Sequence, residues 1–338
     1  MHFCTLNNFL MTMSIIRKLL YFLTFAVLAV ACGSKQQVGT TDDEPILAGP
    51  VFNEDSAWAF CAEQCAFGPR TMNSVAHDSC GEWIKEKFQQ YGLSVTVQKA
   101  DLRGWDGTTL RSANIIASLN PESKRRVLLC AHWDCRPWAD NDPDSANWHK
   151  PVMAANDAAS GVAVMIELAR VIKADTMQLP YGIDFVCFDA EDYGTPQWSG
   201  VEDEASWALG AQYFAKHLPA AYDGGVLLDM VGGQGAHFYQ EGFSMLYAKQ
   251  IVNDVWLAAA DAGYGSFFLA QQGGRITDDH KPLNDAGIPT IDIIPYYPDC
   301  EQSCFGPTWH TVSDDMNHLD KATLKAVGQT MIQYLYTR

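Results

Sequence analysis

Short apolar runs alternate with longer stretches of helical periodicity along most of the chain. The runs 95–98, 113–118, 127–131, 183–188, 226–228 and 290–294 predict strands. Stretches 160–172, 206–217, 244–262 and 319–336 repeat their apolar positions at helical spacing and predict helices. Two further helices precede the first strand. One starts at Asn53-Glu54-Asp55, with acids in its first turn, and ends at Phe67-Gly68-Pro69-Arg70. The other runs over 74–91 and stops at Gly92. Strand and helix in alternation imply an α/β fold, with a central, mostly parallel mixed sheet flanked by helices on both faces. No repeat and no shift of composition after residue 50 marks a second domain, so 51–338 reads as one domain.

The amino-terminal pattern is different. Arg17 and Lys18 precede an apolar run over 19–31, which is shorter than a membrane span. The run closes on Ala29-Val30-Ala31-Cys32. Residues 1–32 therefore read as an export signal, with Met13 an alternative start. Small residues before Cys32 resemble a bacterial lipoprotein processing site, although Ala29 stands where such sites usually carry leucine. The expectation is an exported, periplasm-facing chain of a Gram-negative bacterium, lipid-anchored at Cys32; a plain secretory peptide cut nearby is the alternative. Polar residues 33–50 read as a flexible tether.

Charge narrows the partners. A formal net charge of −17 repels nucleic acid and anionic membrane surfaces, and no basic cluster offsets it. Contact with a membrane is thus expected only through the lipid. Of the ten cysteines, Cys130 and Cys187 fall in apolar strand runs and predict buried thiols. Cys300 and Cys304 share a loop and are the pair most easily joined in an oxidising compartment. No Cys/His spacing fits a structural zinc site.

Ligands of such sheets bind beyond the carboxyl ends of the strands, so the polar residues after each apolar run carry the chemistry. Val127-Leu128-Leu129-Cys130-Ala131 runs into His132-Trp133-Asp134, and the next loop reaches Asn156-Asp157 before a helix. Phe185-Val186-Cys187-Phe188 runs into Asp189-Ala190-Glu191-Asp192, and Val226-Leu227-Leu228 into Asp229. Trp309-His310-Thr311 follows a Gly/Pro/Cys-rich loop after the last strand. Singly, each has a plain reading: Asp157 as a helix cap, Asp229 as acceptor of a loop amide, His310 as a packed or surface histidine. Together they form a set of oxygen and imidazole donors at one sheet edge, which suits zinc in an open tetrahedral site. Neighbours at a strand end point different ways, so one of Glu191 and Asp192 can bind metal while the other acts as a general base.

With these motifs, and with Arg136-Pro137-Trp138-Ala139-Asp140, Asn156-Asp157-Ala158-Ala159-Ser160-Gly161 and Asp278-Asp279-His280, the chain resembles the zinc-dependent exopeptidases of the co-catalytic aminopeptidase type. Within them it is similar to the animal-like glutaminyl cyclases of Bacteroidetes. The resemblance covers 52–338. It implies that Asp157, Asp192 and His310 hold zinc, that Glu191 is the general acid/base, and that Asp229 and Asp278 form a carboxylate pair beside it. Trp309 matches an indole donor near the substrate, and Trp198, ahead of Trp207, matches a pocket tryptophan; packing is the alternative for both. Many relatives have Glu-Glu where this chain has Glu191-Asp192, so either the metal shifts or the backbone compensates.

The resemblance leaves two reactions open on peptide N-termini. A glutaminyl cyclase uses one zinc to turn N-terminal glutamine into pyroglutamate and ammonia. An aminopeptidase uses two, with His132 and Asp229 completing the second site, Asp157 bridging, and Asp134 beside it. The Trp/Arg/Pro-rich segment after Asp134 and the tryptophan before His310 look like the cyclases. A non-catalytic binding lipoprotein would be expected to lack Glu191 or a ligand, and all are present.

Overall fold

A computed structural model describes residues 47–338. The export signal, Cys32 and most of the tether lie outside the described residues. Within them, Ala48 already donates its N–H to Gln333 Oε1 at 2.7 Å, so the chain is docked from that point on.

The elements follow one another as α1 (Glu54–Cys65), α2 (Val75–Gln90), β1 (Ser94–Arg103), β2 (Thr109–Leu119), β3 (Arg126–His132), α3 (Ala159–Ala174), β4 (Gly182–Phe188) and α4 (Leu209–Lys216). Then come β5 (Gly225–Leu228), β6 (Phe238–Gln240), α5 (Gly242–Tyr247), α6 (Lys249–Asp261), β7 (Phe268–Gln272), α7 (His280–Asp285), β8 (Thr290–Ile293) and α8 (Lys321–Thr337). Local chemistry starts the first helices as expected: Asn53 accepts the Ser56 N–H and Ser74 accepts that of His77.

Six strands form the main sheet in the order β1-β2-β4-β3-β5-β8. The four strands β4, β3, β5 and β8 are parallel, and β1 and β2 add an antiparallel edge. Register pairs His132 with Phe188 and Leu228 with Ile293, so the carboxyl ends of the parallel strands meet along one edge. Alternate side chains feed two cores. Leu129, Ala131, Phe185 and Val226 pack with α1, α3 and α8, whereas Leu128, Cys130, Val186 and Leu227 pack with Phe214 of α4 and Leu283 of α7. Helices therefore cover both faces, and strands buried on both sides read as continuous apolar runs.

Gly161 decides how closely α3 approaches the sheet: a Cβ there would lie 2.2 Å from the Leu228 carbonyl oxygen. The helix start, with Asp157 ahead of it, is thereby pressed against the end of β5. Three expectations are corrected. The helix expected over 206–217 begins at Leu209, because Ala208 is left-handed (φ 54°). The helix expected over 244–262 divides into α5 and α6 at Ala248. Cys300 and Cys304 are separate free thiols; their loop is closed instead by backbone hydrogen bonds, Tyr297 N–H to the Cys304 carbonyl at 2.8 Å and Cys300 N–H to the Tyr297 carbonyl at 3.1 Å. Cys130 and Cys187 are buried thiols, as expected.

Candidate active site

Each parallel strand delivers an acid or histidine to the common edge. His132 ends β3, Glu191 and Asp192 follow β4, Asp229 follows β5, and His310 lies in the loop beyond β8. Asp157 stands just ahead of α3, and Asp278 just ahead of α7. All seven side chains are buried.

Two groups of ligand-type atoms share Asp157. In the first, His310 Nε2 lies 3.1 Å from Asp192 Oδ1 and 3.6 Å from Asp157 Oδ2. In the second, His132 Nε2 lies 2.9 Å from Asp157 Oδ1 and 3.2 Å from Asp229 Oδ1. Metal–ligand bonds of about 2.0–2.1 Å at the tetrahedral angle put ligand atoms roughly 3.3 Å apart, so both groups have suitable spacing. They differ in bonding. His132 is hydrogen-bonded to Asp229. The buried Asp192 oxygens have no donor beside them except the His310 imidazole, 3.1 Å from Oδ1. Buried carboxylate oxygens with no other donor are what a cation would satisfy, and the donor set of two carboxylates and an imidazole fits zinc.

Further carboxylates hold the loops in place. Asp134 accepts the N–H groups of both Glu191 and Asp192, each at 3.1 Å. Asp314 does the same for Asn156 at 2.8 Å and Asp157 at 3.0 Å. The backbone is unusual at these points: Ala154, Ala190, Met230 and His310 have positive φ without being glycine. Such conformations carry strain and survive where the surroundings over-determine them; here each is within three residues of a site residue or is one.

Electrostatics set Glu191 apart. It belongs to neither metal-type group. Burial pushes its carboxyl well above the usual carboxylate range; Asp192, Asp278 and Asp279 add to the shift and the charge of His132 opposes it. Burial, reinforced by the charge of Asp229, pushes Asp278 up to about 8. For Asp192, burial is outweighed by His310 and Arg136, and its carboxyl is held below the ordinary value. A proton-carrying acid beside an ionised, metal-type acid is the division of labour that adjacent Glu191 and Asp192 allow.

The model for peptidase family M28 matches residues 114–335, a span that contains every one of these acids and histidines. The chain belongs to peptidase family M28. Among solved structures, this M28 chain is similar to the Bacteroides thetaiotaomicron glutaminyl cyclase bound to N-acetylhistamine, at 47% identity over 86% of this chain and 99% of that one, with a TM-score of 0.83. The Tannerella forsythia glutaminyl cyclase is 46% identical over 86% of this chain and 100% of that one, also with a TM-score of 0.83. A leucine aminopeptidase precursor from Bacteroides thetaiotaomicron VPI-5482 is 47% identical over 87% and 100%, with a TM-score of 0.82. Curated relatives are more distant. An aminopeptidase of Bacillus subtilis (strain 168) is 29% identical over 72% of this chain, which spans 49% of that protein's length. The Bos taurus glutaminyl-peptide cyclotransferase is 26% identical, with 66% of each chain covered.

Within this M28 site, Asp157, Asp192 and His310 converge as expected, with His132 and Asp229 beside them. Asp134 supports the loop that carries Glu191 and Asp192. Trp309 stacks on His310 at 3.8 Å between ring centroids. Trp198 instead joins a half-exposed aromatic cluster with Trp138, Trp148 and His149. Trp207 lies parallel to the His310 ring, at 6.0 Å. Asp278 groups with His280 and Asp292, a buried set that extends the acid network away from Asp157. Sequence reading passed over Asp292, because an acid inside a strand looks like an interruption, and Asp314, because nothing in Ser313-Asp314-Asp315 distinguishes it from a loop acid.

Proposed function

We propose that the chain is a glutaminyl-peptide cyclotransferase that converts the N-terminal glutamine of peptides to pyroglutamate and ammonia with one zinc, held by Asp157, Asp192 and His310. The observation that carries this reading is the convergence of Asp157, Asp192 and His310 with Glu191 buried beside them and outside both ligand groups, in a chain similar over 86% of its length to solved glutaminyl cyclases.

Zinc held by Asp157, Asp192 and His310 would supply Lewis acidity to the γ-carbonyl oxygen of the substrate. Glu191 takes a proton from the attacking α-amine and returns it to the departing ammonia. Asp229 and Asp278 hold Glu191 and the substrate amide nitrogen in orientation, and the indole of Trp309, stacked on His310, donates toward the substrate. Amine and carbonyl belong to one residue, so holding them in reach gives the advantage of intramolecular attack. On this reading the enzyme is exported, faces the periplasm and is held to a membrane through lipid on Cys32.

A di-zinc aminopeptidase is the second reading, and one observation favours it: Asp157 offers Oδ1 to His132 and Oδ2 to His310, as a bridging carboxylate would. Incubation with N-terminal Gln-peptides and with aminoacyl-anilides, alongside elemental analysis, separates the two. Pyroglutamate with one zinc per chain is the expected result. Released anilide with two zincs would overturn the proposal.

A further inference from the structure

The segment just beyond β3 contains a charge pair that touches both sides of the Asp157–Asp192–His310 group. Arg136 is buried, yet its N–H groups are all engaged. Nε donates to Asp140 Oδ1 at 3.1 Å, and Nη2 to Asp140 Oδ2 at 2.6 Å and the Thr195 carbonyl at 3.3 Å. Nη1 donates to the carbonyls of Asp192 at 3.0 Å and Gly194 at 2.9 Å. The guanidinium lies over Trp138 at 5.1 Å and Trp207 at 4.5 Å, and Trp207 in turn parallels His310.

Asp140 reaches the other ligand. Its Oδ1 faces His310 Nδ1 at 3.6 Å, and that buried nitrogen has no hydrogen-bond partner. Nε2 of the same ring faces Asp157 and Asp192. An imidazole that gives Nε2 to a metal carries its proton on Nδ1, and Nδ1 points at Asp140. The next residue grips the backbone: Asn141 N–H donates to the His310 carbonyl at 3.0 Å, and its Nδ2 to the Trp309 carbonyl at 3.1 Å. His310 has a positive φ of 53°, a conformation that needs such support.

We propose that the Arg136–Asp140 pair is a positioning device for the metal centre, in which Arg136 fixes the Asp192 loop and Asp140 fixes the orientation and tautomer of His310. A buried ion pair is weak evidence of stability, because a well-packed apolar pair often serves the fold as well. Its value here lies in coupling two ligands from different strands through one rigid fork, which a lysine at 136 could not reproduce. The proposal rests on Asp192 and His310 as ligands, the assignment made above.

The test measures zinc affinity by chelator competition, and cobalt(II) absorption in place of zinc, in the full chain and in four variants. Asp140→Asn and Arg136→Lys should each weaken zinc binding about 10–100-fold and alter the cobalt spectrum. The double variant Arg136→Met/Asp140→Leu removes both charges together, at the cost of the hydrogen bonds to the Asp192, Gly194 and Thr195 carbonyls and from the Gln197 N–H. It should melt, metal-free, below the parent but cooperatively, and bind zinc as weakly as the single variants. Parent-like zinc affinity and cobalt spectrum in the double variant would show the pair to be structural only, and overturn the proposal. Undiminished zinc binding in His310→Ala would instead overturn the ligand assignment, and the positioning role with it.

Discussion

Glu191 is the residue on which the chemistry turns. It adjoins Asp192 but lies outside both ligand groups, and burial holds its carboxyl well above the ordinary range. Glu191→Gln keeps shape and removes the titrating oxygen. Turnover should fall by about 10²–10⁴-fold, the usual worth of general acid–base catalysis, with zinc content unchanged and substrate affinity little altered. Lost zinc would show that Glu191 and Asp192 have been assigned in the wrong order; full turnover with zinc bound would mean that another group moves the proton. At this scale the sequence is informative where an acid or histidine ends an apolar run, as with His132 and Asp229, or follows it within a few residues, as with Glu191 and Asp192. It is silent on residues that act by accepting loop amides, such as Asp314, since hydrogen bonds to Asn156 and Asp157 across the chain leave no local pattern. Nor does spacing from Glu191 encode the contacts of Trp198, in an aromatic cluster with Trp138 and Trp148, or of Trp207, parallel to the His310 ring.

At the scale of elements, the parallel strands were legible because burial on both faces makes them continuously apolar. The expected run 183–188 matches β4 to within a residue. The pair β6 and β7 was not legible: Phe238–Gln240 has three residues, and Phe268–Gln272 ends in two glutamines. Nor was the start of α5, where Glu241 caps the helix by accepting the N–H groups of Phe243 at 2.8 Å and Ser244 at 2.6 Å. The same carboxylate accepts the Ile276 N–H at 3.0 Å and pairs with His280 at 3.2 Å, tying α5 to the loop that leads to Asp278. Burial raises its pKa, but the His280 bond and charge and the two helix amides outweigh this, holding it at about 2 against an ordinary 4.5. A depressed carboxyl stabilises the fold above its unfolded value and loses that contribution as pH falls toward its folded one. Between about pH 4.5 and 2 the loss should be on the order of 3 kcal/mol. Glu241→Gln should therefore be less stable at neutral pH and show a shallower loss of stability across that acid window. An unchanged acid limb in denaturation curves would remove Glu241 as a source of acid sensitivity.

Across the whole molecule, the proposed ligands join distant parts of the chain. Asp157 precedes α3, Asp192 follows β4 and His310 lies beyond β8, so a bound metal cross-links three loops over the edge of one sheet. Close by are the buried carboxyls of Asp229, Asp278, Asp279 and Asp292, in a chain whose formal net charge is already −17. Without a cation, the fold must keep these acids together against their repulsion or protonate them. Metal should thus contribute to stability as well as to reaction. Zinc at a thousandfold excess over its Kd would add about 4 kcal/mol to unfolding, and Tm should fall by several degrees on chelation, at roughly 2–4 °C per kcal/mol for a large domain. Adding zinc back should restore both Tm and turnover. His310→Ala should melt near the chelated parent, and excess zinc should raise its Tm far less. If chelation strips the zinc and stops turnover but leaves Tm where it was, the cross-link carries no stability, and the loops are held in place by Asp134, Asp314 and the Arg136–Asp140 pair alone.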